Sequence, residues 1–422
     1  MEYIKRIVDE KIKQKLKITG AIVLRGPKWC GKTTTAKQFA ASILELQNPD
    51  MQENYIELAY TKPSLLLNGD KPRLIDEWQI APKIWNAVKY SVDSSSLPGE
   101  YILTGSTTPV IDKTLHSGVG RFTFVNMKPL SLFESNESNG LISIKDILNG
   151  KVDIDGIKTD FTYEKIAYAL ARGGWPNSLK MEIKDALEVP KSYVDVLCEF
   201  DISNIDDVKR NPSLARMILK SYSRHISTIG SNKSLYNDII ANYSDVSEKT
   251  IVEYLNIFER LFIIEEIEAW SPNIRSKTSI RLSNKKSFVD PSIAVASLGI
   301  TPEELIMDIN TFGLLFENLV NRDLSIYLDT IDAKLAHYRD RMGLECDNII
   351  HFRNGDYALI EVKLGVSKIE EAKEHLMKLE EIILCNEPKL GKPRFKMIIT
   401  GTDMAYKTDN DILVVPIGCL RD

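Results

Sequence analysis

Long hydrophobic runs are absent from this 422-residue sequence. The longest, residues 412–420, falls well short of the roughly 20 apolar residues that span a bilayer, so no membrane segment is expected. Cysteine is sparse. Cys30, Cys198, Cys346, Cys385 and Cys419 are odd in number and form no CxxC pair, which argues against a disulfide framework or a zinc ribbon. The five histidines include no HExxH and no paired metal spacing, and His337, His351 and His375 read as structural. No Gly-x-Ser-x-Gly nucleophile elbow occurs. With 22 glycines and 17 prolines, the chain is not of low complexity, and 43% hydrophobic against 27% charged residues is an ordinary globular balance. Positive charge is also short: 54 Lys and Arg face 59 Asp and Glu, for a net −5. That disfavours a basic coat for nucleic acid or anionic membrane, while leaving a local basic patch open. No signal-peptide h-region follows the first basic residues. Ile4, Ile7, Val8, Ile12 and Leu16 mark one face of an amphipathic helix instead. The expectation is a soluble, cytoplasmic protein of roughly three domains at about 150 residues each.

What is present is more specific. Residues 21–25 read as a short apolar strand, followed by Gly26, Pro27, Lys28, Trp29, Cys30, Gly31, Lys32 and Thr33, then Thr34 and a helix. This is the G-x-x-x-x-G-K-[ST] phosphate loop. Gly26 and Gly31 let the backbone curl so that its N–H groups, those of Lys28, Trp29 and Cys30 included, surround phosphate, and the following helix N-terminus adds its positive end. Lys32 is expected to bridge the β- and γ-phosphates of ATP, and the Thr33 hydroxyl to ligate Mg²⁺. Residues 73–77 form a second apolar strand ending in two carboxylates. Asp76 is suited to hold Mg²⁺ and Glu77 to polarise the attacking water as general base. A third strand, 101–106, ends in hydroxyls, so Thr104 or Ser106 is a candidate sensor of the γ-phosphate. Arg121 is read either as an arginine finger acting in trans, which requires an oligomer, or as a solvated arginine.

The segments GPKWCGKTT, LIDEWQ, LTGST, GVGRF, MKPLSLFE (127–134) and RGGWP (172–176), in that order, resemble a family of prokaryotic AAA-type ATPases that carry a C-terminal domain of unassigned function. The resemblance implies a P-loop α/β domain with the sensor strand inserted between the phosphate-loop strand and the strand of Asp76. Arg172 is then either a second sensor or a capping arginine in a helical lid.

The expected layout is a P-loop AAA-type ATPase core at 1–150, a helical lid at 151–210, a winged-helix middle at 211–300 and a restriction-endonuclease-like α/β domain at 301–422. Residues 135–160, rich in Ser, Asn, Gly and Asp, read as a surface excursion. Three helical stretches near 212–227, 232–242 and 247–260, the last with Ser247 as N-cap, precede a strand at 261–270. Residues 271–289 hold Arg275, Lys277, Arg281, Lys285 and Lys286 and no acid until Asp290, a basic hairpin that could lie along DNA phosphates or dock another protein.

In the last region a helix at 312–328 carries Glu317 beside its apolar stripe. Strand alternation puts Glu345 and Asp347 on one face, and Glu361 and Lys363 on one face of the partner strand across the Asn354-Gly355 turn. An Asp opposite Glu-x-Lys resembles the PD-(D/E)xK core, although Cys346 stands where the motif has Pro. The resemblance implies that Asp347 and Glu361 hold Mg²⁺, that Glu317 completes the shell and that Lys363 activates water. Glu-x-Lys itself occurs four times, at 182–184, 361–363, 371–373 and 387–389, so hairpin context carries this assignment. Three functions follow as expectations: a Mg²⁺-dependent ATP-hydrolysing switch; an ATP-gated metal-dependent nuclease; and a non-cleaving regulator that binds DNA or protein through the winged helix.

Overall fold

The computed structural model describes residues 3–107, 118–206, 208–241, 243, 246–272, 283–340 and 343–422. They divide into two compact units. The first comprises Met1–Pro129 with the short segments Ser203–Val208 and Ile257–Phe262, and the second comprises the remainder. Among the described residues no helix is long and apolar enough to cross a membrane.

The first unit is built on strands β1 (Ala21–Arg25), β2 (Ser42–Glu45), β3 (Arg73–Asp76), β4 (Tyr101–Gly105) and β5 (Phe122–Asn126). They form one parallel sheet in the order β2-β3-β4-β1-β5. Both faces of β1, β3 and β4 are covered, which is why these three strands read as short apolar runs, whereas the edge strands β2 and β5 are partly exposed. Ala21 and Val23 of β1 face a core shared with Val88 and Val92 of helix Ile84–Ser95. Ile22 and Leu24 face another, shared with Val8 and Ile12 of helix Val8–Leu16 and Ala36 of helix Lys32–Lys37. Trp85 stacks on Phe122 at 3.9 Å and meets Trp78 at 4.9 Å. The N-terminal helix starts at Val8, so Ile4 and Ile7 precede it. As expected, β4 lies between β1 and β3, which sets the carboxyl ends of the three strands side by side, where parallel sheets bind ligands.

The second unit contains β6 (Ile142–Ser143), an antiparallel hairpin of β7 (Ile264–Ile267) and β8 (Lys285–Phe288), six strands β9 (Ala333–Arg339), β10 (Glu345–Phe352), β11 (Tyr357–Lys363), β12 (Lys396–Thr400), β13 (Tyr406–Lys407) and β14 (Ile412–Pro416), and β15 (Leu420–Arg421). Residues 130–150, expected with the ATPase core, fall in this second compact unit. β6 pairs in parallel with β15, and the Ser138 and Ser143 hydroxyls donate to the carbonyls of Leu420 and Asp422 at 2.6 Å each. The chain's last strand needs a partner, and the supposed excursion supplies it.

The six-stranded sheet runs β13-β14-β12-β11-β10-β9, with β9, β10 and β11 antiparallel and β11, β12 and β14 parallel. Helix Ile369–Asn386 packs Leu376, Leu379 and Ile383 against Ile349, Leu359 and Val414. Ahead of the sheet, helices Pro212–Arg224, Asn232–Ile240 and Glu248–Arg260 lead into β7. Their caps follow the sequence: Asn211, Ser231 and Ser247 side chains accept from N–H groups of the first turns.

The basic hairpin expected at 271–289 needs correction. Arg275, Lys277 and Arg281 lie outside the described residues, and Lys285 and Lys286 are 4% and 2% exposed. Every residue of β8 is buried, so neither lysine is presented to a DNA backbone. Lys286 lies 5.1 Å over the Tyr222 ring and 3.3 Å from Asn232 Oδ1.

A buried charge cluster joins segments distant in sequence. The Arg322 guanidinium donates to Asp290 Oδ2 and to Asp323 Oδ1, both at 2.9 Å, with all three side chains at most 2% exposed. Asp323 also accepts from the Leu132 amide and Asp290 from the Gly174 amide, each at 2.9 Å. Trp175 Nε1 donates to Ser292 Oγ at 3.0 Å, and Ser292 Oγ donates to Asp290. Gly174 is required because a Cβ there would lie 2.2 Å from the Leu130 carbonyl oxygen. Thus KPLSLFE and RGGWP meet at this cluster. Arg172 is bound through Nη1 and Nη2 to Glu137 at 3.0 and 2.7 Å, and through Nε to the Gly173 carbonyl that ends its helix. Arg322→Met leaves two buried carboxylates without their cation, so it should cost about 3–5 kcal/mol of stability, measured by urea unfolding.

Candidate functional site

The phosphate loop is closed by its own backbone and by contacts behind it. Gly26 has φ +156°, and a Cβ there would lie 2.0 Å from the Met127 carbonyl oxygen. Gly31, at φ +97°, starts the helix that carries Lys32, Thr33 and Thr34. Pro27 is buried, Lys28 exposed, and Trp29 51% exposed at φ +66°. The Cys30 side chain is buried in the core with Ile22 and Leu24, so only its backbone can serve a phosphate. Lys32 Nζ donates to the Gly26 and Pro27 carbonyls at 3.0 and 2.8 Å. Arg6, which the sequence did not flag, is 5% exposed and donates to the Cys30 and Lys128 carbonyls at 2.8 Å each. It ties the loop to the end of β5 from beneath.

The carboxylates meet the loop as the sheet order requires. One Asp76 oxygen, Oδ1, accepts from the Thr33 hydroxyl at 2.7 Å and from the Thr104 hydroxyl at 2.5 Å. Thr104 is fully buried, and its oxygen also accepts from the Glu77 amide at 3.1 Å. Glu77 sits in the left-handed region, φ +53°, ψ +51°, a conformation unusual for a side-chain-bearing residue and held here by its neighbours. Its Oε2 accepts from Ser106 Oγ at 3.2 Å and from the Gln79 amide. Gln79 was missed, although it stands inside the LIDEWQ segment two residues beyond Glu77. Arg121 is exposed and paired with Asp93, and it also donates to the Val119 carbonyl at 3.0 Å.

Residues 18–136 match the profile of an AAA domain. This region is similar to AAA-type P-loop ATPase domains. Residues 163–304 and 312–420 match two domains of unknown function, DUF8612 and DUF4143. Over 363 residues the chain is 21% identical to uncharacterized proteins of Mycobacterium bovis and Mycobacterium tuberculosis, an alignment covering 85% of this chain and 74% of each of those. Among solved structures, a Walker-type ATPase of Pyrococcus abyssi aligns at 12% identity and TM-score 0.40, over 68% of this chain and 94% of that one. A signal-transduction ATPase with numerous domains and a tetratricopeptide-repeat sensor, from Pyrococcus horikoshii, aligns at 15% identity and TM-score 0.19, over 74% and 47%. Both structural similarities are slight.

Outside residues 18–136, the residues predicted for the C-terminal site do come together, with unpredicted company. Lys363 Nζ lies 2.6 Å from Glu361 Oε2 and 2.9 Å from Asp347 Oδ2, and the Val362 amide donates to the same Asp347 oxygen at 2.9 Å. Lys285 Nζ, from β8, lies 2.6 Å from Glu317 Oε1 and 2.9 Å from the Asp347 carbonyl. His375, set aside as structural, is 3.0 Å from Glu361 Oε1 through Nδ1. Glu345 does not share a face with Asp347. The register of β10 on β9 shifts between Cys346 and Ile349, a bulge that turns Asp347 to Lys363 and leaves Glu345 paired with Arg339 at 3.0 Å.

The protonation states follow from burial set against pairing. Burial pushes the Glu317 carboxyl up to about 7 in spite of Lys285. Burial alone would raise Asp347 too, but Lys363 and Lys285 hold it well below the usual carboxylate range. Burial would lower Lys285, and its neighbours Glu317 and Asp347 reverse this and raise it. Among the described residues no group of three or more His, Cys, Asp and Glu side chains is arranged to hold a metal ion. The expected ligand set of Glu317, Asp347 and Glu361 therefore needs correction: ammonium groups stand between the carboxylates.

At the phosphate-loop site, Thr104→Val removes a donor to Asp76 and the acceptor of the Glu77 amide. A buried polar group left unpaired costs about 1–3 kcal/mol. ATP hydrolysis by this variant should fall about tenfold or more, with ATP affinity close to that of the parent, as read by steady-state turnover and nucleotide titration.

Proposed function

We propose that the protein is an ATP-binding, ATP-hydrolysing switch whose nucleotide state governs what its second unit binds. The single observation that carries this reading is the shared Asp76 oxygen, which brings the phosphate-loop Thr33 and the β4 hydroxyl of Thr104 to one point, with Glu77 next in the chain. The residues present fit nucleotide with Mg²⁺. The loop leads from Gly26 and Gly31, both at positive φ, into the helix that carries Lys32 and Thr33, and a hydroxyl and a carboxylate, the oxygen ligands that Mg²⁺ prefers, already meet beside it. Bound Mg²⁺ would supply charge neutralisation at the phosphates.

The remaining roles belong to the chain. Lys32 would exchange two loop carbonyls for β- and γ-phosphate oxygens. Lys28, Trp29, Cys30 and Gly31 would contribute backbone N–H groups, and Thr34 would extend that wall. Thr33 and Asp76 would hold the metal side. Glu77 would take the proton of the attacking water, oriented by Ser106 and Gln79. Thr104 and Ser106, which touch both carboxylates, would register the loss of the γ-phosphate. Because Thr104 bonds the Glu77 amide, a shift at one carboxylate carries to the other. The first unit's short segments Ser203–Val208 and Ile257–Phe262 interrupt the second unit's sequence, which gives such a shift covalent routes into it.

A second reading, ATP-gated metal-dependent cleavage of nucleic acid by Glu317, Asp347, Glu361 and Lys363, draws on their convergence in one cluster. It fits less well, since each of the three carboxylates already has an ammonium within 3 Å.

Lys32→Ala should abolish ATP binding in an equilibrium titration, and Glu77→Gln should retain binding while losing turnover. Parental hydrolysis by Lys32→Ala would overturn the switch. Incubation of the parent with single- and double-stranded DNA and RNA, with ATP and Mg²⁺ or Mn²⁺, should give no cleavage. Cleavage abolished by Asp347→Ala and by Lys363→Ala would establish the second reading instead.

A further inference from the structure

Arg6 stands outside every motif of the nucleotide site, yet its side chain ends behind the phosphate loop. Nη1 donates to the Cys30 carbonyl at 2.8 Å, and Nη2 to the Lys128 and Pro129 carbonyls at 2.8 and 3.4 Å. These acceptors lie 24, 122 and 123 residues away in sequence, and the arginine is 5% exposed. Its own backbone is tied down as well. The Arg6 amide donates to Asp9 Oδ2 at 3.0 Å. The Tyr3 hydroxyl lies 2.6 Å from Asp9 Oδ1 and 3.2 Å from Thr35 Oγ1, on the helix that leaves the loop.

The Cys30 carbonyl shares a peptide with the Gly31 N–H. In a planar trans peptide the two groups point in opposite directions, so a carbonyl held behind the loop turns the N–H to its front. Among the described residues that N–H donates to no protein acceptor. Gly26 and Gly31, at φ +156° and +97°, give the loop its curl but no rigidity of their own, so the orientation of this peptide has to be imposed from outside. Arginine suits the task because its planar fork reaches two sites at once, Cys30 through one nitrogen and the Lys128 and Pro129 carbonyls through the other. The backing is itself fixed: the Met127 amide donates to the Arg25 carbonyl at 2.8 Å.

We propose that Arg6 is a positioning residue of the phosphate site, one that aims the Gly31 N–H at the β-phosphate of a bound nucleotide by holding the Cys30 carbonyl against the Lys128–Pro129 backbone. The inference rests on the nucleotide reading and adds to it a residue that touches no ligand itself. The β-phosphate is common to ATP and ADP, and a contact made equally before and during hydrolysis affects binding rather than turnover.

The parent, Arg6→Gln, Arg6→Lys and Lys32→Ala are compared as full chains by titration with ATP and with ADP in Mg²⁺, by steady-state turnover, and by thermal unfolding without nucleotide. Arg6→Gln should weaken ATP and ADP alike, by about tenfold or more, with kcat at saturating ATP within about threefold of the parent. Arg6→Lys, which keeps a charged donor but loses the fork, should fall between the two. Parental affinity in a folded Arg6→Gln protein, a loss confined to kcat, or Arg6→Lys binding no tighter than Arg6→Gln would overturn the inference and leave the nucleotide reading intact. No ATP binding by the parent would remove that reading and the inference together. Should Arg6→Gln not fold, Arg6→Lys is held to the same pattern of weakened ATP and ADP with kcat retained. Failure of both to fold would assign Arg6 to the fold alone and overturn the inference.

Discussion

A charge removed from water must find its opposite, and in the second unit that requirement falls first on Arg322. Its guanidinium is almost wholly buried, and the two carboxylates that answer it, Asp290 and Asp323, are themselves bound to the Gly174 and Leu132 amides. Four stretches of chain are thereby fixed at one point, none adjacent in sequence except Arg322 and Asp323. Exposed pairs such as Lys13–Glu10 and Lys191–Glu188 are screened by solvent and constrain nothing comparable. A buried pair adds little net stability over a well-packed apolar substitute, yet is costly to break, so its effect is to forbid other arrangements. The same rule holds Lys285 against Glu317.

In the first unit the organising constraint is sheet order. With β4 between β1 and β3, a hydroxyl at its end can reach a carboxylate at the end of β3, and the loop after β1 reaches the same atom from the other side. Asp76 is therefore fixed by two hydroxyls rather than by a cation. A group held in this way keeps its position, and its second oxygen remains for other work. Arg6 performs the corresponding task behind the loop, where its guanidinium donates to three backbone carbonyls.

Much of this was legible in the sequence where the signal is local. The phosphate loop, the two carboxylates after β3 and the hydroxyls after β4 rest on short spacings, and the structure joins Thr33, Asp76, Glu77, Thr104 and Ser106 in one network. What depends on contacts between distant segments was not legible. Lys285 and Lys286 look like wing lysines because a run of basic residues carries no mark of burial, and only helix Ile309–Leu328 and Tyr222 reveal otherwise. Residues 135–160 look like an excursion because their partner strand lies at the opposite end of the chain. His375 was passed over because it is 14 residues from Glu361 and on another element. Gln79 was within reach, since a side chain two residues past a strand-end carboxylate can fold back onto it.

The bulge in β10 has a consequence for phase. Cys346 lies opposite Tyr338 and Ile349 opposite Ala336, so three steps along one strand are matched to two along its neighbour. The inward pattern changes parity across Asp347, and Cys346 and Ile349 both enter the core that Tyr357 and Leu359 share. A strand one residue shorter could satisfy the pairing on one side of Asp347 or on the other, but not on both. The acid is thus installed by chain length as well as by residue identity. Deleting a residue at 347–348 and replacing Asp347 are different lesions: the first would re-index half a strand, the second would alter one side chain.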